Sequence, residues 1–227
     1  MKLSIVIPIY NEESTISDIV HTASDANKLG LDYEIILIDD FSSDKTTEII
    51  SKLHSENPSL IIVKHSINQG KGATLRSGFQ QASGDIILIQ DADLEYDPKE
   101  YPKLLKPILE NKADVVYGSR FRSDQETRVL YFWHRVANGV LTLLSNMFTN
   151  LNLTDMETGY KVFRKEILDK VNLTENRFGI EPEITAKIAK IPNIKIYEVG
   201  ITYFGRTYEE GKKIGLKDAF RAFFVII

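Results

Sequence analysis

The first half of the chain alternates short apolar runs with longer amphipathic stretches, and this alternation limits the possible folds most strongly. The apolar runs are rich in Ile and Val, which is typical of strands buried on both faces. They cover Leu3–Ile9, Tyr33–Ile38, Leu60–Val63, Asp85–Ile89 and Asp114–Tyr117. Helical patterns separate them at Ser14–Leu29, Asp44–Glu56, Ala73–Ala82 and Lys99–Glu110. This order predicts an α/β fold, with a mostly parallel sheet flanked by helices on both faces.

The second half of the chain is less regular. Its predicted elements are helices over Val129–Asn150 and Ile180–Lys190, a strand over Ile194–Phe204 and a loop over Gly205–Gly215. No internal repeat or linker interrupts the sequence, so we expect one domain over residues 1–215, followed by an amphipathic helix over residues 216–227. Asn11 and Ser43 precede the first two helical patterns, and we predict that they cap those helices.

Composition excludes several classes of function. The formal net charge of −4 provides no overall basic field, so nucleic acid is not an expected partner. The absence of cysteine excludes disulfides, thiolate zinc sites and cysteine nucleophiles. No apolar run reaches the roughly 18 residues that a membrane-spanning helix needs, so no such helix is predicted.

Charged residues gather where the predicted strands end. The segment QDADLEYDP, residues 90–98, follows the fourth strand and carries four acidic residues. Asp39 and Asp40 follow the second strand, and Arg120 follows the fifth. Ligands of open α/β sheets bind beyond the carboxyl ends of the strands, so we expect these side chains to face a ligand.

Asp91 and Asp93 have the spacing of a divalent-metal site. Only the small Ala92 separates them, so a sharp bend would turn both toward one point, and Glu95 would add a third donor. Such oxygen donors suit Mg²⁺ or Mn²⁺, which would bridge a nucleotide diphosphate. Two other interpretations stay open on these residues alone: a solvated acidic turn, and a carboxylate pair that hydrolyses glycosides.

The segment NQGKGATLRSG, residues 68–78, has the glycine content of a phosphate loop but not its pattern. Gly72 follows Lys71 where a phosphate loop requires Ser or Thr. The glycines either let the backbone approach a ligand or permit a tight turn.

Several segments, taken in order, resemble the family 2 glycosyltransferases of the GT-A fold. They are IVIPIYNEE, LIDDFSSDKT, NQGKGATLRSGFQQASGD, QDADLEYDP, YGSRF, DMETGYKVFR and IEPEITAKI. The YGSRF and DMETGYKVFR segments look most like enzymes that transfer a sugar from a nucleotide to a polyprenyl phosphate, of the dolichyl-phosphate mannose and undecaprenyl-phosphate glucose types. The resemblance extends to about Gly215.

The resemblance implies a role for each matching position. Pro8, Tyr10 and Glu12 would line the nucleotide pocket, with Asp39 at the edge of the base and Asp40 beside it. Asp91 would bind both the nucleotide and the metal ion, which Asp93 and Glu95 would also hold. Arg120 would contact the acceptor or donor phosphate, and Arg206, with Lys212 or Lys213, would lie on a loop that closes over the diphosphate.

The resemblance also implies direct displacement at the anomeric carbon with inversion. Asp93, Arg120, Asp155 and Arg206 are the predicted catalytic residues, and Glu181 and Glu183 are further candidates. A hydroxyl acceptor needs a general base, whereas a lipid phosphate is already ionised. Two rival functions stay open: transfer to a saccharide or other hydroxyl, and nucleotide-sugar binding without activity.

The expected partners follow from the same resemblance. They are a nucleotide sugar, UDP-linked in preference to GDP-linked, and a polyprenyl phosphate. The helix over Val129–Asn150 and the closing stretch KKIGLKDAFRAFFVII mix aromatic with basic residues, as interfacial helices do, although a core helix also carries an apolar stripe. We therefore expect a cytoplasmic protein held peripherally at the inner face of the membrane, and the sequence leaves homo-oligomer formation open.

Overall fold

The computed structural model describes residues 1–122, 128–129, 131–206 and 216–227. The strands are β1 (Lys2–Ile9), β2 (Asp32–Asp39), β3 (Ile61–Lys64), β4 (Ile86–Ile89), β5 (Val115–Ser119), β6 (Lys161–Arg164) and β7 (Ile196–Gly200). The helices are α1 (Ile16–Asp25), α2 (Thr46–Glu56), α3 (Lys71–Gln81), α4 (Tyr101–Leu109), α5 (Phe132–Thr149), α6 (Lys165–Leu168), α7 (Ile180–Ala189) and α8 (Leu216–Ile226). A 3-10 turn over Pro98–Glu100 leads into α4.

The strands form one sheet in the order β3-β2-β1-β4-β6-β5-β7. β1 pairs in parallel with β2 and β4, and β5 pairs in parallel with β7. β6 is antiparallel to both of its neighbours, β4 and β5. The predicted α/β class with a mostly parallel sheet is therefore confirmed. β2 and β3 lie on one side of β1 and β4 lies on the other, so the carboxyl end of β1 is a topological switch point, where such sheets bind ligands.

Hydrophobic side chains fill both faces of the sheet, which explains why the strand sequences are apolar runs. In β1, Leu3, Ile5 and Ile7 join the cluster under α1, α2 and α4. Val6 points to the other face and joins the cluster that contains Leu75 of α3 and several residues of α7. Successive residues of a strand alternate between faces, so a strand covered on both sides must be apolar at nearly every position.

The predicted helix caps were wrong. α1 begins at Ile16 after Thr15, and α2 begins at Thr46 after Lys45, without a side-chain cap at either position. Asn11 instead adopts a positive φ of 50°, and its side-chain oxygen accepts a hydrogen bond from the backbone N–H of Ser43 at 2.8 Å. The two residues therefore join the loops that follow β1 and β2.

β6 was not predicted, because its sequence KVFR has a charged residue at each end and lacks the continuous apolar run of the equally short β3 and β4. The predicted strand over Ile194–Phe204 is also shorter in the structure and ends at Gly200. The predicted loop over Gly205–Gly215 lies outside the described residues except for its first two positions.

Candidate active site

A cavity of about 610 Å³ opens beyond the carboxyl ends of β1, β4 and β5. It brings together most of the predicted site residues: Pro8, Tyr10, Glu12, Asp40, Asp91, Asp93, Glu95, Arg120 and Arg206. Asp39, Asp155 and Glu183 are predicted site residues that do not line it. Lys212 and Lys213 lie outside the described residues. Other lining residues come from the second half of the chain, among them His134, Asn138, Glu157, Arg177, Phe178 and Glu181.

The two aspartates at the end of β2, Asp39 within the strand and Asp40 directly after it, are both buried, and each is bound to a different loop. Asp39 accepts hydrogen bonds from the backbone N–H of Ser42 at 3.0 Å and from the hydroxyl of Thr47 at 2.6 Å. Asp40 accepts from the backbone N–H groups of Gln69 at 2.9 Å and Gly70 at 2.7 Å. Asp40 therefore holds the glycine-rich segment against the end of β2.

The glycines of that segment are explained by close packing within the protein. Gly70 has a φ of +95°, and a Cβ there would lie 2.6 Å from the carbonyl oxygen of Asn176. A Cβ at Gly72 would overlap the carbonyl group of Glu175. The segment therefore makes a tight turn that packs against residues 175–177. α3 begins at Lys71, directly after this turn, and Lys71 lines the cavity.

Lys71 links two carboxylates that lie on different elements. Its Nζ is 2.8 Å from Oδ1 of Asp91 and 3.1 Å from Oε1 of Glu181. Glu181 is buried at the start of α7, where its other oxygen pairs with the buried Lys161. Sequence reasoning missed Lys71 because its partners lie far along the chain.

The three predicted metal-binding carboxylates after β4, Asp91, Asp93 and Glu95, have different surroundings. Asp93 lies 3.2 Å from the guanidinium of Arg206, but burial and the neighbouring charges of Asp91 and Glu95 raise the pKa of its carboxyl. Glu95 accepts hydrogen bonds from the hydroxyl of Tyr203 and from the backbone N–H of Arg206 at 2.6 Å. Asp91 and Asp93 therefore face the cavity, whereas Glu95 fixes the residues around Arg206.

Arg206 connects the end of β1 with the acidic segment after β4. Its NH2 group is 3.1 Å from Oε1 of Glu12 and 3.2 Å from Oδ2 of Asp93. The positively charged guanidinium of Arg206 thus lies between the end of β1 and the acidic segment after β4, both of which are predicted to bind ligand. The backbone at Arg206 is placed by Glu95, so this arrangement depends on all three carboxylates.

The fit of a divalent cation depends on the charges of the cavity and on the number of donors. Among the described lining residues, carboxylates (Glu12, Asp40, Asp91, Asp93, Glu95, Glu157 and Glu181) outnumber cationic side chains (Lys71, Arg120, Arg177 and Arg206). An anionic ligand therefore needs an additional cation. The described residues contain no group of three or more His, Cys, Asp or Glu side chains arranged to hold a metal. Asp91 and Asp93 are the residues that would hold a Mg²⁺ or Mn²⁺ ion, because such an ion needs few carboxylates where phosphate and water complete its ligands.

Arg120 and Asp155 form an ion pair at the end of β5. The Nε and NH2 groups of Arg120 each lie 2.7 Å from a different carboxylate oxygen of Asp155, and the backbone N–H of Arg120 also donates to it at 3.0 Å. The side chain of Asp155 is 0% exposed, whereas Arg120 lines the cavity. Asp155 therefore orients Arg120 and has no access to the cavity itself.

The remaining predicted carboxylate, Glu183, stabilises a turn. Its carboxylate accepts hydrogen bonds from the backbone N–H groups of Thr174 at 2.9 Å and Glu175 at 2.8 Å. Although burial alone would raise its pKa, these bonds and that from Lys187 lower it. Glu183 thus positions the loop that packs on the glycine-rich segment.

One wall of the cavity is built by α5, α7 and α8, which pack against one another. The outer surfaces of α5 and α8 expose many large apolar side chains: Phe132, Trp133, Val136, Val140, Leu143, Met147, Phe148, Phe220, Phe223, Phe224 and Ile227. Within the part of the chain that the structure describes, none of the helices has the length and apolar character needed to cross a membrane.

The dolichol-phosphate mannosyltransferase of Pyrococcus furiosus is 30% identical to this chain over 95% of the chain and 60% of the relative. The undecaprenyl-phosphate 4-deoxy-4-formamido-L-arabinose transferase of Proteus mirabilis is 28% identical over 95% of the chain and 64% of the relative. The chain thus spans less than two thirds of the length of these relatives.

A solved structure of glucosyl-3-phosphoglycerate synthase from Mycobacterium tuberculosis, in complex with Mn²⁺, UDP and phosphoglyceric acid, superposes with a TM-score of 0.70. It is 23% identical and covers 92% of this chain and 72% of that one, which confirms the predicted GT-A fold. A family model described as Glycosyl transferase family 2 matches residues 4–171. The match covers most of the chain and contains the acidic segment after β4, so this chain belongs to glycosyl transferase family 2.

Proposed function

We propose that this chain transfers a sugar from a nucleotide-sugar donor to a polyprenyl phosphate, in a reaction that depends on a divalent cation. The observation that carries the proposal is the meeting of Asp91 and Asp93 with Arg120 and Arg206 in one cavity at the switch point of the sheet. The carboxylates suit a cation, and the arginines suit the phosphates of two anionic substrates.

The donor diphosphate would bind between Asp91, Asp93 and Arg206. A Mg²⁺ or Mn²⁺ ion held by the two aspartates would supply positive charge for the leaving diphosphate. Arg206 already lies at Asp93 and Glu12, so it can contact the diphosphate after a small side-chain movement. UDP is the proposed nucleotide, because the mycobacterial synthase of the same fold was crystallised with UDP.

The nucleoside would extend toward the ends of β1 and β2. Pro8, Tyr10 and Glu12 line this part of the cavity. Asp39 is buried behind them, so contact with the base would require a rearrangement of the turn that it holds with Ser42.

The acceptor phosphate would bind to Arg120. The bidentate pair with Asp155 fixes the guanidinium, and Arg120 lines the cavity, where a phosphate would meet the donor groups that Asp155 does not use. A phosphate oxygen is ionised near neutral pH, so it attacks the anomeric carbon without a general base, and a single displacement inverts the configuration. In this mechanism Asp155 orients the arginine and removes no proton.

A polyprenyl acceptor requires contact with a membrane. The apolar surface of α5 and α8 lies on the outside of the cavity wall that carries His134, Asn138 and Ala222. Aromatic side chains such as Trp133, which is 74% exposed, suit the interfacial region of a bilayer. These exposed side chains support the proposal of a peripheral location at the cytoplasmic face of the membrane.

The proposal is tested by transfer assays with the purified 227-residue chain. Radiolabelled UDP-glucose, UDP-N-acetylglucosamine and GDP-mannose are supplied with undecaprenyl phosphate or dolichyl phosphate in detergent, with Mn²⁺ or with EDTA. We expect one donor to give a lipid-linked product only with the metal ion present. Asp91→Asn should abolish the product, whereas Asp32→Asn, at an exposed position at the start of β2, should leave it unchanged. Transfer to a saccharide hydroxyl, with none to either lipid phosphate, would contradict the proposed acceptor.

A further inference from the structure

Glu157 lines the cavity at a place that none of the roles above uses. It lies in the segment that precedes β6, two residues before Gly159, whose backbone packs directly against the carboxylate of Asp91. Two hydrogen bonds hold the segment at this contact. The N–H of Gly159 donates to the hydroxyl of Tyr96 at 2.8 Å, and the hydroxyl of Thr158 donates to the carbonyl oxygen of Gly118 at 2.5 Å. Glu157 therefore lies two residues from the contact with Asp91, and it is near enough to Arg120 for the charge of the guanidinium to act on it.

The carboxylate of Glu157 has no hydrogen-bonding partner among the residues that the structure describes. One of its oxygens, Oε1, is completely buried and unpaired. Other carboxylates around the cavity, such as Asp40, Asp155 and Glu95, each accept two or more hydrogen bonds. An unpaired buried acceptor is unfavourable, so it requires an explanation in terms of strain, catalysis or a bound ligand.

The charges that face Glu157 come from several elements. Burial and the carboxylate of Glu181 raise its pKa to about 7, against the opposing charges of Lys161 and Arg120. Asp155 adds further negative charge. A neutral hydroxyl donor would stabilise the carboxylate without adding charge, whereas a second carboxylate at this position would be repelled by both Glu157 and Glu181.

The transferred sugar is the ligand that geometry places here. In the proposed function its diphosphate lies at Asp91 and Asp93, and its anomeric carbon must face an acceptor phosphate at Arg120. The sugar ring then occupies the part of the cavity between these groups, which Glu157 lines.

We propose that Glu157 accepts a hydrogen bond from a hydroxyl group of the donor sugar and thereby selects an uncharged sugar over a uronic acid. The inference rests on the proposed function, and it adds a residue that determines specificity for the sugar and not for the nucleotide.

The test compares the binding of nucleotide sugars with that of the corresponding nucleotides. Dissociation constants are measured by calorimetry with Mn²⁺ for UDP, GDP, UDP-glucose, UDP-galactose, UDP-N-acetylglucosamine, UDP-glucuronic acid and GDP-mannose. The proteins are the wild type, Glu157→Ala, Glu157→Gln and the control Glu166→Gln, which changes an exposed carboxylate of α6. For each sugar, the ratio of its dissociation constant to that of the free nucleotide isolates the contribution of the sugar.

We expect Glu157→Ala to raise this ratio about tenfold or more for the preferred uncharged sugar, the usual effect of losing a hydrogen bond to a charged group, with nucleotide affinity changed less than about twofold. The ratio for UDP-glucuronic acid should fall in both Glu157 variants, because the repulsion between the carboxylate of the sugar and that of Glu157 is removed. Glu157→Gln has the shape of the natural side chain, so it tests this charge effect even where the alanine variant fails to fold. The control should match the wild type.

Two results would overturn the inference while leaving the proposed function intact. They are unchanged ratios for every sugar, and equal weakening of the binding of nucleotide and nucleotide sugar. A wild-type protein that binds neither UDP nor GDP would instead refute the proposed function, and this inference with it.

Discussion

Replacing Asp155 by Asn should destabilise the protein strongly, although the two side chains have nearly the same shape. The natural carboxylate accepts three hydrogen bonds from Arg120, at 2.7, 2.7 and 3.0 Å, and is 0% exposed. An asparagine keeps one oxygen acceptor but places an NH2 group against the guanidinium and removes the compensating charge. Breaking a buried ion pair costs about 3–5 kcal/mol, and the retained acceptor places this variant near 3 kcal/mol.

The expected loss is measurable by urea unfolding and by thermal melting. For a protein of this size, a loss of about 3 kcal/mol lowers the Tm by roughly 6–12 °C. Arg122→Met is the matched control, because Arg122 is 54% exposed in its pair with Glu198 at 3.4 Å and should contribute no more than about 1 kcal/mol.

A third variant separates the charge effect from the packing effect. Arg120→Met combined with Asp155→Leu removes both charges, so it should be less destabilised than Asp155→Asn, although it should lose transfer activity. The reasoning would be refuted if Asp155→Asn were as stable as the Arg122 control. It would be equally refuted if the double variant were the least stable of the three.

Three further predictions address backbone packing, acid stability and the apolar surface. Gly72→Ala should lower the free energy of unfolding by about 1–3 kcal/mol, whereas Gly139→Ala, in open space on α5, should raise it by up to about 1 kcal/mol. Burial alone would raise the pKa of Glu34, but hydrogen bonds to its carboxylate lower the pKa to about 2. The stabilisation that the ionised Glu34 gives the folded protein is therefore present above about pH 4.5 and is lost as the pH falls toward 2. Glu34→Gln should therefore weaken the acid dependence of urea unfolding over that range. Trp133→Glu should reduce sedimentation with anionic vesicles, while Tyr33→Glu, on a distant exposed strand end, should not.

Each of these predictions has a result that would count against it. Equal effects of the two glycine substitutions would mean that the contact of Gly72 with Glu175 is not tight. An unchanged acid dependence in Glu34→Gln would remove Glu34 from the acid-sensitive groups. Equal vesicle binding by both surface variants would mean that α5 does not face the membrane.

The strands of the first half were predictable because each is buried on two faces, and this burial requires an apolar side chain at most positions of β1, β2 and β4. The site at their carboxyl ends followed from the same fact, since parallel strands deliver their final residues to one edge. Asp91, Asp93 and Arg120 could therefore be placed together from the sequence alone.

The contacts that the sequence did not reveal join segments far apart in the chain. Lys71 reaches Glu181, and Arg206 reaches Glu12, without any local pattern that marks the pair. The wrong prediction for Asn11 has a similar cause, because its side chain bonds to the next loop and not to its own helix. Glu157 carried only one signal, its place two residues after Asp155 within the DMETGY segment.

The reversed direction of β6 determines which residues reach the cavity. Each parallel strand sends its outgoing residues to the carboxyl edge of the sheet, but β6, paired antiparallel with β4 and β5, brings its incoming residues there. The loop before Lys161 consequently lies at the carboxyl edge, where Thr158 bonds to Gly118 of β5 and Thr154 bonds to Glu198 of β7. In the proposed function this single loop carries both Asp155, which orients the acceptor arginine, and Glu157, which contacts the sugar, whereas the nucleotide would bind at the ends of β1 and β2.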